Sequence, residues 1–431
     1  MSNGIATIVT KARPQPVQEA LEEICATRLP VGKWLDESNA LGLGGDIENT
    51  SGCDIIQHMA ASSILHCFDG WTYLGRAIQS MMSGDLANTV HLAYYAELRA
   101  ALSIFANQGI GIYNSKGIAA EENNCVFRNR IPGTHKAAWQ ALEIWADKPS
   151  TGALIGTVIR PFGAELGDWI DSLVTHSTSE RLGRDLILSW GLDIEVFAED
   201  HDARNRSSYD PSIRLVPTED LIHDQMIAVE SFWSLSSPPL AALDNLLLAM
   251  MVHKIVFKED DEEPDDAETM RKRLGSSIDT VLAIDESRKS EIRERIGNVK
   301  EMPGYSLLVH AQQKSNFCSK HYHLEIVARA FFLLRIATGI CSKSLREAGY
   351  DGESSALWTN LICQERALHL EPTPISSVDD LWLDVDVALE DFIGEPEIGL
   401  RFAQWCRQPR HTDAAVTLSS CERIALWGMG L

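Results

Sequence analysis

His91-Leu92-Ala93-Tyr94-Tyr95-Ala96-Glu97-Leu98-Arg99-Ala100-Ala101-Leu102 is apolar on nearly every side of a helical wheel, yet it carries His, Glu and Arg. A helix apolar all round belongs in a core. The stretch lies within a longer helical pattern, Leu86 to Asn107, closed by Gly109, a natural C-cap residue. Tyr95 and Arg99 share a face at i, i+4, and Glu97 points elsewhere. A buried charge without a partner costs on the order of several kcal/mol. Glu97 and Arg99 therefore need mates. Arg204 for Glu97 and Asp202 for Arg99 are the candidates, and together they would form a polar seam inside a helical module.

The pattern around this stretch is also helical. Asp54 to Cys67 and Trp71 to Met82 precede it, and Gly84-Asp85 breaks the chain. His135 to Trp145 places Trp139, Leu142 and Trp145 at i, i+3, i+6, and Asp147-Lys148-Pro149 stops it. Val17 to Ala26 is a short helix ahead of a Gly-rich loop, Gly42-Leu43-Gly44-Gly45. Glu180 to Asp202 reads as one or two helices. In the second half, Ile278 to Ile296 and His321 to Ala337 are strongly periodic. Glu325 and Arg329 stand at i, i+4 with the acid first, the favourable order for an ion pair. Tyr95 to Ala100 and His323 to Ala330 echo each other weakly, as apolar helices with one Glu and one Arg also do by chance. Leu240 to Phe257 is the greasiest run, but Asp244, Asn245, His253 and Lys254 make it a buried helix rather than a membrane span. Strand candidates are few: Leu154 to Ile159 and Ile213 to Val216. The expected fold is mainly α, with multi-helix bundles in two halves and few short strands. The expected organisation is an N-terminal cap segment 1–50, a helical domain 51–205, an irregular connection 206–240, and a C-terminal helical domain 241–431 with an acidic loop 259–268.

Composition narrows the function classes. The chain has 431 residues, enough for two or three domains. It carries 61 acidic and 38 basic residues, a net charge of −23. Such a field repels phosphate backbones and anionic membranes, so any nucleic-acid contact needs a local basic patch or a partner subunit. The 9 cysteines are scattered without a C-x-x-C pair, which points to a reducing, cytoplasmic setting. Met1 to Arg13 lacks the layout of a signal peptide. No P-loop, dinucleotide fingerprint or nucleophile elbow occurs, and no cofactor is expected. His58 and His66 could share a helix face, but no zinc-ligand spacing is present, so no metal site is expected.

Two short segments carry chemistry. Asp202-Ala203-Arg204-Asn205-Arg206-Ser207-Ser208-Tyr209-Asp210-Pro211 puts an Arg-Asn pair where a helix is expected to close. Arg128-Asn129-Arg130-Ile131-Pro132-Gly133-Thr134-His135 puts a His shortly after an Arg. Metal-independent RNA cleavage needs a cation for the phosphorane and a base for the 2′-hydroxyl proton. Arg supplies a fixed charged fork and His titrates near neutrality.

This pattern, over about residues 85–210, resembles the HEPN superfamily of small helical domains, whose motif runs Arg, a polar residue, then His after a short gap. The helix Tyr95 to Ala101 followed by Arg204-Asn205 is similar to HEPN-like proteins of bacterial anti-phage defence and toxin neighbourhoods. The resemblance implies candidate catalytic residues Arg204, Asn205, Arg128 and His135, binding residues Tyr95, Glu97, Arg99 and Tyr209, an RNA substrate and a homodimer. Tyr209 stands where the family has His, and an unperturbed Tyr is a poor base at neutral pH. Pro132-Gly133 places Arg128 in a loop and His135 at a helix start. The same residues also fit a structural reading: Arg near a helix C-terminus complements the dipole, Asn caps it, and Tyr209 anchors a turn. Two functions follow. One is a helical scaffold subunit of a bacterial multi-protein assembly in anti-phage defence, for which the 11 Trp residues suit buried interfaces. The other is a HEPN-type metal-independent ribonuclease with His135 as base and Arg204 or Arg128 stabilising the transition state.

Overall fold

The computed structural model describes residues 2–27, 49–123, 125–173, 183–210, 215, 221–256, 265–350, 378–394 and 400–430. Two long antiparallel helices form its centre. Helix α3 (Gly52–Met82) follows α1 (Ser2–Lys11) and α2 (Gln15–Thr27), and α4 (Leu86–Asn107) returns along it. Ser51 caps α3 by accepting from the Asp54 amide, and Asp85 caps α4 by accepting from Asn88. The two expected helices 54–67 and 71–82 are thus one. Gly70 does not break α3. It permits close packing there, since a Cβ would meet Leu334 Cδ2 at 2.5 Å. Gly109, at φ +76°, ends the α4 segment as expected.

A three-stranded antiparallel sheet follows: β1 (Ile110–Tyr113), β2 (Lys116–Glu121) and β3 (Cys125–Arg130), with Ile118 opposite Arg128. It lies within the expected helical domain, 51–205, at a place where no strand was expected. The tight turn at Asn114, whose φ is +57°, makes the first hairpin. Leu154 to Ile159 is not a strand. Pro149 opens helix α6 (Pro149–Val158) from its first turn, just after α5 (Thr134–Ala146) ends. The chain continues through α7 (Leu166–Leu173), α8 (Gly183–Ser189) and α9 (Ile194–Tyr209), the last two falling where one or two helices were expected.

The irregular connection 206–240 is largely helical, because α9 runs on to Tyr209 and α10 (Leu221–Ser236) buries Leu221, Met226, Val229, Phe232 and Trp233. Helix α11 (Ala241–Val256) meets α10 at 104°. No single helix among the described residues is long and apolar enough to cross a membrane. Ile278 to Ile296 divides into α12 (Asp265–Val281) and α13 (Glu286–Gly297), because Asp285 caps the second. Residues 265–268 of the expected acidic loop open α12. The rest of that loop, the Gly-rich loop at 42–45 and most of 213–216 lie outside the described residues.

Helix α14 (Tyr305–Gln312) leads to α15 (Tyr322–Glu347), buried on all sides from Tyr322 to Cys341. It packs against both α3 and α4. Buried apolar side chains from Ile5 to Met429 form one continuous cluster, so the two expected halves share a core. Four more helices, α16 (Val378–Phe392), α17 (Phe402–Cys406), α18 (Thr412–Leu418) and α19 (Glu422–Met429), complete the described chain. The fold is mainly α with one small sheet.

Candidate functional site

Tyr95, Leu98, Arg99 and Leu102 recur at spacings of three and four, so they form one stripe of α4. That stripe is one wall of a cavity of about 510 Å³. His58 and His66, two turns apart on α3, form a second wall, and the β1–β2 hairpin adds Ile112, Tyr113 and Asn114. The start of α5, Gly133 to His135 and Lys136, and His201 of α9 complete it. Trp139 of α5 stacks on Phe197 of α9 at 4.8 Å and fixes these two helices against each other.

None of these wall residues is Asp or Glu, in a chain with 61 acidic residues. A second cavity, of about 400 Å³, has Glu291, Glu294 and Glu301 on its wall. The α5 N-terminus adds to the first cavity's positive character. Its N-cap is Gly133, with no side-chain cap bond, so its first amide N–H groups lack intrahelical acceptors. Such a terminus favours an anion.

Hydrogen-bond polarity fixes the protons around this cavity. Arginine only donates. Arg204 Nη1 donates to Asn205 Oδ1 at 2.9 Å, which turns Asn205 Nδ2 toward His201 Nε2 at 3.3 Å. Neutral His201 therefore carries its proton on Nδ1, 3.8 Å from Asp202 Oδ1. Arg204 Nη2 also donates to the Tyr95 hydroxyl, leaving that hydroxyl's own proton to be donated. Arg99 Nη1 donates to His66 Nδ1 at 2.8 Å, so the proton of neutral His66 is on Nε2. The His135 and His201 rings stack at 5.1 Å, and His135 Nδ1 lies 2.8 Å from the buried Tyr94 hydroxyl.

The four wall histidines stay neutral at neutral pH. Burial, the largest cause, lowers His135 to about 4, helped by His201 and Arg204. Burial lowers His58 to about 4. His66 is held well below the ordinary value by burial, then by Arg99 and His58. His201 is lowered by burial and by Arg204, with Asp202 acting the other way. The cationic side chains on the wall are Arg99 and Lys136.

Glu97 faces the opposite way. It lies 3.8 Å from Arg329, which forms a two-pronged bond to Asp200 at 2.7 and 2.9 Å. Tyr322 donates to Asp200 at 2.5 Å, and Glu325 stands 3.9 Å from the same guanidinium. Glu97, Asp200, Glu325 and Arg329 are all fully buried. Burial, then the Asp200 charge, pushes the Glu97 carboxyl well above its usual range.

The expected site residues thus separate. Arg204, Asn205, His135 and Tyr95 come together, with Arg99 on the same wall. Arg204 itself is not on the wall; it is bonded to Tyr95, which is. It lies inside α9, which runs five residues past it to Tyr209, so the helix does not close at the Arg-Asn pair. Arg128 is on strand β3 rather than in a loop, exposed, and donates to the Thr50 carbonyl. Tyr209 is 76% exposed at the end of α9. The mates assigned from sequence are replaced: Glu97 meets Arg329 rather than Arg204. Arg99 meets His66 and, at 3.6 Å, Asp69 rather than Asp202. His201 and Lys136 were not among the expected site residues. His201 precedes Arg204 by three on one helix, the reverse of the motif order, and Lys136 adjoins His135. Among the described residues no group of three or more His, Cys, Asp or Glu side chains is arranged to hold a metal ion.

Fold and cavity define a class: a mainly α-helical protein with a histidine-lined cavity free of carboxylates. The chain matches no protein-family model, no curated protein and no solved structure.

Proposed function

We propose that this cavity binds a phosphate-bearing ligand, RNA, and cleaves it by acid–base chemistry, as the HEPN-like motif residues suggest. The observation that carries this reading is a wall of four histidines, Arg99 and Lys136 without a carboxylate, in a chain of net charge −23. Phosphoryl oxygens would rest on the first amides of α5 and on Lys136. In the tautomer that points Nδ1–H at the Tyr94 hydroxyl, 2.8 Å away, His135 presents Nε2 to take the 2′-hydroxyl proton. The 2′-oxygen attacks phosphorus and the 5′-oxygen departs, taking a proton from the Lys136 ammonium. The products are a 2′,3′-cyclic phosphate and a 5′-hydroxyl. Arg204 positions Tyr95 and His201 through Asn205. The overall negative field favours short single strands, or RNA delivered by a partner.

The test is incubation of the purified chain with end-labelled single-stranded RNA in EDTA. Cleavage leaving cyclic-phosphate ends, lost in His135→Ala, is expected. Loss of cleavage in EDTA, or equal cleavage by the variant, overturns it.

A second reading is favoured by Leu383 and Val387, 60% and 51% exposed one turn apart on α16. It is a scaffold subunit that contacts partner proteins, or a second copy, in a bacterial defence assembly. Intact RNA together with loss of assembly in Leu383→Asp/Val387→Asp would favour it.

A further inference from the structure

The inner part of the cavity differs from its phosphate end. Leu98, Leu102, Ile112 and the Tyr113 ring give it apolar and aromatic surfaces, and Leu98, Ile112 and Tyr113 are nearly buried. Flat apolar walls of this kind accept a nucleobase by stacking and burial. Two of its polar groups, His66 and Arg99, offer donors. His66 has Nδ1 occupied by Arg99, so the polar group left to it is an N–H. Arg99 Nη1 meets His66 and, at 3.6 Å, Asp69, and its guanidinium carries five N–H donors in all. The inner wall therefore offers neighbouring donors.

We propose that this inner wall is a nucleobase subsite selecting bases that present two adjacent acceptors, guanine through O6 and N7 or cytosine through O2 and N3. Adenine sets an amino group beside N7, and uracil sets an N–H between its carbonyls. Each would bring a donor against a donor, and an unmatched buried donor is costly. The inference takes its ligand class from the RNA reading above.

The test uses free nucleosides, which lack phosphate, so it stands apart from cleavage. Calorimetry on the full chain should show guanosine or cytidine bound about tenfold or more tighter than adenosine and uridine. The relative affinities of guanosine and cytidine identify the base. His66→Gln keeps an acceptor for Arg99 and an N–H for the base, so it should retain the preference. His66→Leu should lose it. Equal binding of all four nucleosides, or no binding by the folded wild-type chain, overturns the subsite even if RNA is cleaved. A preference without RNA cleavage supports the subsite and removes the nuclease reading.

Discussion

Helices α4 and α9 each carry polar groups of opposite fate. Tyr95 and Arg99 on α4, and His201 on α9, line an open cavity without carboxylates. Glu97 and Asp200, two residues and one residue away along the same helices, are sealed against Arg329 and Glu325 of α15. A step of one or two residues turns a helical side chain by 100–200°, so adjacent positions serve different neighbours. The sealed cluster sets three carboxyls against one guanidinium. A proton held on Glu97, for which the Asp200 carboxylate is the nearby acceptor, reduces the excess to two carboxylates against one guanidinium. The open cluster keeps its histidines neutral, and no carboxylate shares the wall with its cations, Asp69 lying 3.6 Å from Arg99 but off the wall. One cluster consumes its own polar groups in holding α4, α9 and α15 together. The other leaves them for a ligand.

Arg329→Met breaks the sealed side. It strips Asp200 of its two-pronged partner and leaves three buried carboxyls without a cation. The expected loss is about 3–5 kcal/mol, read as a fall in the urea midpoint or as failure to accumulate folded protein. Adding Asp200→Leu should recover part of that loss, because an apolar replacement removes the stranded charge. A single variant as stable as wild type would mean that the cluster does not hold the helices.

His135→Ala breaks the open side, with the opposite profile. Loss of a general base lowers the cleavage rate roughly 100- to 10,000-fold. Stability should change by less than about 1 kcal/mol, since His135 is only partly buried beside the cavity. Unfolding and single-turnover cleavage measured on one preparation separate the two effects. A variant that loses activity only by unfolding would place His135 with the sealed cluster.

Much of this division was legible before the structure. Periodicity found α4 and its C-cap, and the i, i+4 rule put Tyr95 and Arg99 together and Glu97 apart. The Arg204 and His135 segments were singled out by residue type and do meet. Partner identity was not legible. Glu97 meets Arg329, which is far away in sequence, because α15 packs on α4, and no local rule encodes that docking. The segments around Glu97 and Arg329 echoed each other, yet nothing in either announced their contact. The sheet escaped because its strands are short and β1 follows a helix directly, so an apolar run such as Ile110 to Tyr113 has no room to display a period of two. Pro149 read correctly as a stop for α5 but equally starts α6, a choice decided by what the following helix packs against.

The two clusters should also tilt stability in opposite directions with pH. On the open side, the folded chain refuses protons that the unfolded chain binds near the ordinary histidine value of 6.5. Stability is therefore retained above that value and lost as pH falls toward about 4, where His58 and His135 titrate. A bound phosphate opposes the Arg contributions and raises these histidines, so saturating nucleotide should move the acid-unfolding midpoint to lower pH. Acid unfolding unaffected by nucleotide would detach the histidines from ligand binding.

Glu97→Gln is the smallest change and the sharpest probe of the sealed side. The native state holds the Glu97 proton above the pH at which the unfolded chain releases it, so wild-type stability contributed by this group is full below about pH 4.5 and declines as pH rises. Gln keeps the shape and an N–H for Asp200 and does not titrate. Near pH 5 the two proteins should agree within about 0.5 kcal/mol. By about pH 8 the variant should be the more stable, and its acid limb should match wild type because the cavity histidines are untouched. Denaturant midpoints across that range decide the matter. A variant less stable at the alkaline end would mean that Glu97 is ionised and that its 3.8 Å approach to Arg329 is an ion pair. The sealed cluster would then hold its excess of carboxylates around Arg329 as charge rather than relieve it by protonation.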